Sequence, residues 1–231
     1  MSDPPLLTAR ELARRHPDGN GWLLDHVSVT LKAGMRLALA GPSGSGKTLL
    51  MRALILLDPL ESGTVFWRGE EVRGNRLPAF RREVVYLHQR PALLGGTVEE
   101  ALQSPFALAV HAGRRYDRAR ITEWLARLGR EASFLTKATA DLSGGEMQIA
   151  ALLRALQLDP TVLLFDEPTA ALDPQTTAAV ERLLHAWVGE GPSRATIWVS
   201  HDPEQSGRMA DQVLQLRNGR VLSTDANEPG S

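Results

Sequence analysis

Four short apolar runs recur along the chain, and each of them ends in polar residues. The runs occupy residues 36–41 (RLALAG), 84–89 (VVYLHQ), 161–167 (TVLLFDE) and 196–201 (TIWVSH). Continuous apolar runs of this length are typical of strands that are buried on both faces of a sheet. We therefore predict four buried strands, with polar residues at their ends that can line a shared site.

Two other segments carry apolar residues at helical spacing. Their positions follow i, i+3, i+4 and i+7, and they are Ile121, Trp124, Leu125 and Leu128 in the first segment and Val180, Leu183, Leu184 and Trp187 in the second. This spacing predicts amphipathic helices. Gly129 is placed to end the first helix, and Asp173-Pro174 is placed to cap and begin the second.

Strands that alternate with helices predict an α/β fold with a mostly parallel sheet covered on both faces. Residues 92–155 interrupt the alternation, so we predict one domain in which a helical lobe is inserted into a core of residues 1–91 and 156–231. Three more strand-like segments, 6–16, 22–34 and 63–72, predict a smaller antiparallel sheet beside the core. Residues 223–231 are polar and are expected to be frayed.

Composition removes several function classes. The net charge of −1 lacks the basic excess that nucleic-acid binding usually requires, so no nucleic-acid partner is expected. The chain contains no cysteine, which excludes disulfides, thiolate catalysis and cysteine-ligated metals. The N-terminus has no secretory pattern, and every apolar run is far shorter than the roughly 20 residues that span a bilayer. We expect that this chain does not cross a membrane by itself.

The strongest chemical signal is GPSGSGKT, residues 41–48, which follows a predicted strand and precedes the apolar helical segment 49–57. Glycines allow the backbone to surround phosphate with amide donors, and the helix N-terminus adds positive potential. A flexible glycine-rich turn is the alternative interpretation, but strand, loop and helix agree in favouring a nucleotide site. The expected nucleotide-binding residues are Gly41, Pro42, Ser43, Gly44, Ser45, Gly46, Lys47, Thr48 and Leu49. Lys47 is expected to reach the outer phosphates and Thr48 to ligate Mg²⁺.

A second signal is the acidic pair at the end of run 161–167. Asp166 is predicted to hold Mg²⁺ at the carboxyl end of a buried strand. Glu167 is predicted to orient and deprotonate the water that attacks the γ-phosphate. A solvated turn is the alternative for such a pair in isolation, and the phosphate loop favours the functional interpretation here.

A third signal, LSGGE at residues 142–146, adds a second place where phosphate charge can be stabilised. Ser143, Gly144 and Gly145 are predicted to present backbone amides and one hydroxyl from a helix start. The segment has neither a lysine nor a metal ligand, and Lys47 and Asp166 already serve one nucleotide. We therefore predict that two copies of the chain face each other and that each closes the other's site.

These motifs together resemble the ATP-binding subunit of an ABC transporter, over essentially the whole chain. Gln89, Asp173 and His201 match the family's Q-loop, D-loop and switch positions. The resemblance implies a P-loop NTPase (RecA-like) core and hydrolysis of ATP with Mg²⁺. It also implies that Gln89 senses the metal and the attacking water, that His201 contacts the γ-phosphate, and that Ser143 and Gly145 bind the opposite subunit's ATP.

The same resemblance implies partners and a location. An ATP-bound homodimer would drive a separate transmembrane permease from the cytoplasmic face of the membrane. The short chain is similar to the stand-alone ATPases of bacterial iron-export and plant aluminium-tolerance systems. Two alternatives stay open: a soluble ABC ATPase of DNA repair or translation, which usually carries coiled-coil insertions or tandem cassettes, and a small P-loop kinase, which has no use for LSGGE.

The sequence departs from the family pattern at two places. The aromatic residue that commonly stacks on adenine corresponds to His16, with Trp22 as the alternative. After Gln148, many members have arginine where this chain has Ile149, so a local salt bridge is expected to be absent.

Overall fold

The computed structural model describes residues 4–93, 95–191 and 193–226. The strands are β1 (Leu7–Arg15), β2 (Trp22–Leu31), β3 (Arg36–Ala40), β4 (Ser62–Trp67), β5 (Glu70–Glu71), β6 (Val84–Leu87), β7 (Val162–Asp166), β8 (Ala195–Val199), β9 (Gln212–Arg217) and β10 (Arg220–Ala226). The α-helices are α1 (Lys47–Leu54), α2 (Leu77–Glu83), α3 (Val98–Gln103), α4 (Arg118–Arg127), α5 (Gly144–Leu156), α6 (Pro174–Gly189) and α7 (Pro203–Met209).

The central sheet has the strand order β10-β9-β3-β8-β7-β6. All neighbouring strands in it are parallel except β10, which is antiparallel to β9. The four predicted buried strands are β3, β6, β7 and β8, so the mostly parallel core is confirmed. Their carboxyl ends lie at one edge of the sheet, where open α/β sheets bind ligands.

The prediction was incomplete at the C-terminal end, where β9 and β10 form a hairpin. Its turn is Asn218-Gly219, and both residues have positive φ, 49° and 72°. Asn-Gly is a favoured dipeptide for two-residue hairpins, so a signal for this turn was present. Residues 223–226 are therefore paired in β10 rather than frayed, and residues 227–231 lie outside the described part of the chain.

A second sheet, with the order β2-β1-β4-β5, is antiparallel throughout. It confirms the predicted smaller sheet, and the segment 63–72 divides into two of its strands. Glu11 and His26 lie on the paired strands β1 and β2 and have positive φ, 53° and 52°, where the pairing register shifts. Irregularities of this kind bend a strand, and residues of β1 and β2 pack with α1 in one apolar cluster.

The predicted helices form, with one correction. Asp117 caps α4, which buries Ile121 and Leu125, while Asp173 caps α6 directly before Pro174. The apolar segment 49–57 does not remain helical to its end. Helix α1 ends at Leu54, because the chain turns at Leu56, which has a φ of 54°.

Two apolar clusters cover the two faces of the central sheet. Alternate residues of β7 divide between them, since Leu164 packs with α1 and the antiparallel sheet while Phe165 packs with the helices on the other face. Leu125 and Ile149 of the helical lobe belong to the same cluster as Phe165. The lobe therefore shares its core with the sheet, and the division at residues 92 and 155 stays a prediction. Across the described residues, no helix is both long and apolar enough to span a bilayer.

The cap of α4 provides a test of local stability away from the strand ends. The Asp117 carboxylate accepts a hydrogen bond from the N–H of Arg120 at 3.0 Å. Asp117→Ala should lower the free energy of unfolding by about 1 kcal/mol because this N–H loses its acceptor. Urea denaturation measures the change. Asp117→Asn keeps an acceptor and should stay near wild type; equal losses in both variants would contradict a role as a cap.

Candidate active site

The loop between β3 and α1 requires glycine at two positions. Gly41 has a φ of 148°, and a Cβ there would overlap the carbonyl oxygen of Leu216. Gly46 has a φ of 103°, and a Cβ there would lie 2.9 Å from the carbonyl oxygen of Leu23. Only glycine satisfies both the backbone conformation and the packing. The loop is thereby held between the start of β2 and the end of β9.

Lys47 lies folded over this loop. Its side chain is buried, and Nζ donates to the carbonyl oxygens of Gly41 at 2.8 Å and Pro42 at 3.1 Å. Ser45 Oγ is buried without a hydrogen-bond partner in the described part of the chain. Pro42, Ser43, Gly44 and Thr48 are exposed, and Leu49 is half-buried. An ammonium group, an unpaired hydroxyl and a helix N-terminus fit the charge of nucleotide phosphates.

Asp166 lies at the same sheet edge. Val199 pairs with Leu39 on one side and with Asp166 on the other, which places the carboxylate two strands from the phosphate loop. Asp166 is 2% exposed, and Oδ2 accepts a hydrogen bond from the Tyr86 hydroxyl at 2.8 Å. Burial, reinforced by this bond, raises the pKa of Tyr86 well above its usual value. Tyr86 therefore remains a proton donor to the carboxylate.

The proposed metal ligands fit Mg²⁺ in chemical type. Thr48 offers a hydroxyl, Gln89 an amide oxygen and Asp166 a carboxylate, and Mg²⁺ prefers such oxygen ligands. Within the described ranges, no group of three or more His, Asp or Glu side chains could hold a metal ion. The set therefore suits a cation that nucleotide phosphates help to coordinate.

Glu167 joins two of the predicted site residues directly. Gln89 Nε2 donates to Glu167 Oε2 at 2.7 Å, and His201 Nε2 lies 2.6 Å from Glu167 Oε1. Glu167 has a φ of 50°, an uncommon conformation for this residue type, and its N–H donates to the carbonyl oxygen of Val199 at 3.0 Å. Strained backbone that is fixed in this way is frequent at functional sites.

Gln148 is a functional candidate that the motif analysis did not assign. Its Nε2 lies 3.4 Å from the carbonyl oxygens of Gln89 and Glu167, and its Oε1 accepts from the N–H of Ala171 at 3.1 Å. This buried amide connects three loops of the site. A polar residue one helical turn into the LSGGE helix was the available signal. The next residue, Ile149, is fully buried in the apolar cluster, which explains how the chain accommodates an aliphatic side chain there.

The LSGGE segment begins α5 with a capping box. Ser143 Oγ accepts from the N–H of Glu146, and the Glu146 carboxylate accepts from the N–H of Ser143. Lys137 Nζ donates to Glu146 at 2.6 Å. This bond, followed by the bond from Ser143, lowers the pKa of Glu146 and keeps its carboxylate charged. The chain thus fixes the helix start firmly.

The same helix start retains unused donors. In the described part of the chain, no acceptor is found for the N–H groups of Gly144 and Gly145. Within those residues, no hydrogen bond or ion pair joins segment 142–146 to the phosphate loop 41–48. The structure therefore brings together Lys47, Asp166, Glu167, Gln89 and His201 at one edge, and leaves the LSGGE donors free.

The two candidates for adenine stacking lie at the tip of the β1–β2 hairpin. His16 follows β1 and its Nδ1 lies 2.5 Å from Asp18 Oδ1, while its N–H donates to Gly21 O. Trp22 begins β2 beside Leu23, whose carbonyl oxygen packs on Gly46 of the phosphate loop. The Arg15 guanidinium covers the Trp22 ring at 4.3 Å from its centroid. Both side chains remain proposals for the adenine contact.

A groove lies beside Gln89, between β6 and the helical lobe. Its volume is about 650 Å³, and its apolar lining includes Leu57, Val85 and Ala155. Its charged lining is cationic and includes Arg90 and Arg154, and no carboxylate of a described residue lines it. Burial lowers the pKa of Arg154, and this guanidinium has no hydrogen bond or ion pair to any described residue.

The chain is similar to known proteins over most of its length. The family described as ABC transporter matches residues 24–170. The probable iron export ATP-binding protein FetA of Escherichia coli (strain K12) is 37% identical over 86% of both chains. A phosphate import ATP-binding protein, PstB 2 of Natronomonas pharaonis, is 34% identical over 89% of this chain and 75% of its own. A dimeric structure of a bacterial ABC transporter cassette has a TM-score of 0.84 at 25% identity, and covers 96% of this chain and 99% of that chain.

The two glycines of LSGGE provide a matched pair of variants. A Cβ on Gly145 would lie 2.8 Å from the carbonyl oxygen of Ala171, whereas a Cβ on Gly144 would make an ordinary contact at 3.5 Å. Gly145→Ala should lower the free energy of unfolding by about 1–3 kcal/mol through overpacking. Gly144→Ala should change it much less. Thermal unfolding without nucleotide compares the two, and equal effects would contradict the close approach of α5 to residues 170–173.

Proposed function

This chain belongs to the ABC transporter family, as an ATPase that uses ATP and Mg²⁺, and we propose that it is the ATP-binding subunit that drives a separate transmembrane permease. The single observation that carries the proposal is the division of the site. The side chains proposed to bind and hydrolyse the nucleotide converge at one sheet edge, while a second set of donors at Gly144 and Gly145 has no acceptor within the described residues. A second copy of the chain, bound head to tail, would bring its nucleotide's phosphates to these donors as acceptors.

Dimerisation provides the mechanical step. Two copies related by a two-fold axis would each place Ser143 and Gly145 against the nucleotide held by the other copy. A ligand shifts an equilibrium only if it binds one state more tightly. Contacts from the second copy exist only in the closed dimer, so ATP favours closure and its hydrolysis removes that preference.

Glu167 is the proposed general base for the attacking water. Its two oxygens already accept from Gln89 and His201, and each carboxylate oxygen retains a further acceptor site for water. Gln89 and His201 thereby orient the carboxylate. Mg²⁺, held by Thr48, Gln89 and Asp166, would neutralise phosphate charge. Asp173, whose carboxylate caps α6, is proposed to act at the dimer contact.

The clamp predicts an ATP-dependent dimer when hydrolysis is blocked. Glu167→Gln removes the base but keeps the length and hydrogen-bonding capacity of the side chain, so ATP should remain bound and hold two copies together. Size-exclusion chromatography with light scattering, with and without MgATP, measures the mass. Glu123→Gln on the exposed surface of α4 is the control and should stay monomeric. Persistence of the Glu167→Gln monomer with bound ATP would contradict the clamp.

The groove beside Gln89 is the proposed docking site for the permease. Its lining includes His88 and Arg90, the chain neighbours of Gln89, and Gln89 contacts Glu167, so an occupant can influence the base through this segment. Its apolar walls, together with an Arg154 guanidinium that is unpaired among the described residues, favour a short segment that carries apolar side chains and one carboxylate. The permease would then hold this subunit at the cytoplasmic face of the membrane.

Docking predicts a specific loss when Arg154 is changed. Truncating one partner of a buried charged contact across an interface commonly costs 2–5 kcal/mol, so Arg154→Ala should reduce the bound permease by at least about tenfold. The measurement is the amount of multi-span protein that co-purifies with the tagged chain from solubilised native membranes, determined by mass spectrometry. Arg127→Ala, at an exposed ion pair of α4, should leave recovery unchanged. Equal recovery with both variants would contradict docking at this groove.

We further propose metal export, of the iron-export type, as the transport activity. The 37% identity to the probable iron export ATP-binding protein of E. coli supports this subtype. The substrate is chosen by the permease. Identification of the co-purified multi-span protein, followed by transport of Fe²⁺ by the reconstituted pair, tests the subtype.

A further inference from the structure

A buried polar cluster lies behind the pair Glu167–His201. It consists of Thr169, Glu181 and Gln205, with exposures of 8%, 7% and 4%. Gln205 Nε2 donates to Thr169 Oγ1 at 3.0 Å and to Glu181 Oε1 at 2.9 Å. Buried polar groups of this kind are costly unless they are hydrogen-bonded, so a fully connected cluster defines one arrangement of the chain around it.

Gln205 also fixes the backbone on both sides of His201. Its Oε1 accepts from the Ser200 hydroxyl at 2.8 Å, and the Ser200 oxygen accepts from the N–H of Asp202 at 3.0 Å. One amide therefore controls the residue before His201 and, through Ser200, the residue after it. The His201 side chain itself is 60% exposed, so side-chain packing does little to hold its ring.

The other side of the same amide holds the segment that follows Glu167. Thr169 lies two residues beyond Glu167. It belongs to a tight turn in which the N–H of Ala170 donates to the carbonyl oxygen of Glu167 at 3.3 Å. Gln205 thus joins the segment that carries His201 to the segment that carries Glu167. The 2.6 Å contact between these two side chains spans the segments that the amide connects.

The cluster has a charged anchor on α6. Arg208 donates to both oxygens of Glu181, at 3.0 Å each. Burial opposes ionisation of Glu181, but the bonds from Arg208 and Gln205 outweigh it and lower the pKa of this carboxyl. Glu181 therefore stays charged and presents a strong acceptor to the Gln205 amide.

We propose that Gln205 is a positioning residue for hydrolysis, which holds His201 at the Glu167 carboxylate and is itself anchored by Glu181 and Arg208. Gln205 is only 4% exposed, so it is not expected to touch the nucleotide. It acts through the position of His201, and this inference rests on the proposed roles of Glu167 and His201. Displacement of a reacting group by about 1 Å can lower a rate by about 10²-fold, so loss of this amide is expected to affect kcat rather than ATP binding.

A double-mutant cycle tests the proposal. Gln205→Leu keeps most of the buried volume and removes the hydrogen bonds, and it should lower kcat for ATP by about tenfold while the dissociation constant for ATP changes less than about twofold. In a His201→Ala background the same substitution should lower kcat by less than about twofold, because its target is already absent. Steady-state phosphate release and fluorescent-nucleotide titration provide the two readouts.

Two further variants separate positioning from general stability. Gln157→Leu removes another half-buried glutamine, which donates to Leu102 O in the helical lobe, and should leave kcat unchanged. Ser200→Ala removes only the hydroxyl between Gln205 and Asp202, and its loss of kcat should be non-additive with that of Gln205→Leu. This small variant retains the test if Gln205→Leu folds poorly.

The outcomes distinguish the two levels of the proposal. If His201→Ala keeps wild-type activity, the proposed role of His201 fails. If His201→Ala is impaired, two results overturn the positioning role of Gln205 while the proposed function stands. In the first, Gln205→Leu and Ser200→Ala have wild-type kcat. In the second, they lower kcat by the same factor in the wild-type and His201→Ala backgrounds.

Discussion

The register of three parallel strands is the constraint on which the site depends. Leu87 of β6 pairs with Phe165 of β7, and Phe165 pairs with Trp198 of β8. This register places Gln89, Glu167 and His201 just beyond three neighbouring strand ends, where their side chains meet. A shift by one residue would exchange the buried faces of a strand and separate the three. The apolar residues of β6, β7 and β8 therefore secure the chemistry as well as the core.

Two buried glutamines hold the loop after β7 from opposite sides. Gln148, on the LSGGE helix, contacts Glu167 O and Ala171 N, and Gln205, on α7, contacts Thr169. Residues 167–171 therefore connect the helix that is proposed to face a second copy with the segment that carries His201. A displacement of α5 on dimer closure would be transmitted to Glu167 by hydrogen bonds as well as by packing. This arrangement offers a physical route by which assembly and hydrolysis can be linked.

The features predicted from sequence are those with local signals. The apolar run before Asp166, the helical spacing before Gly129 and the phosphate-loop glycines each report on their own surroundings. Gln148 offered only a weak signal, as a polar residue one turn into the LSGGE helix, and Gln205 offered none. Their partners at Glu167, Thr169 and Ala171 lie far away in sequence, and only the fold brings them together. The Asn218-Gly219 turn was a local signal that went unused. The stacking residue stayed open between His16 and Trp22, since either hairpin position satisfies the pattern.

The central claim is that a working site is shared between two copies, and complementation between two inactive variants tests it most directly. Glu167→Gln lacks the base, and Gly144→Asp blocks the donated helix start at a position where a Cβ makes only an ordinary contact. A mixed dimer would therefore contain one wholly intact shared site and one that carries both defects. We predict that mixing the two chains before adding MgATP restores hydrolysis to about a quarter of the wild-type rate, as expected for random pairing of independent sites. A mixture no more active than its separate components would contradict a shared site and would indicate that residues 143–145 act within their own chain.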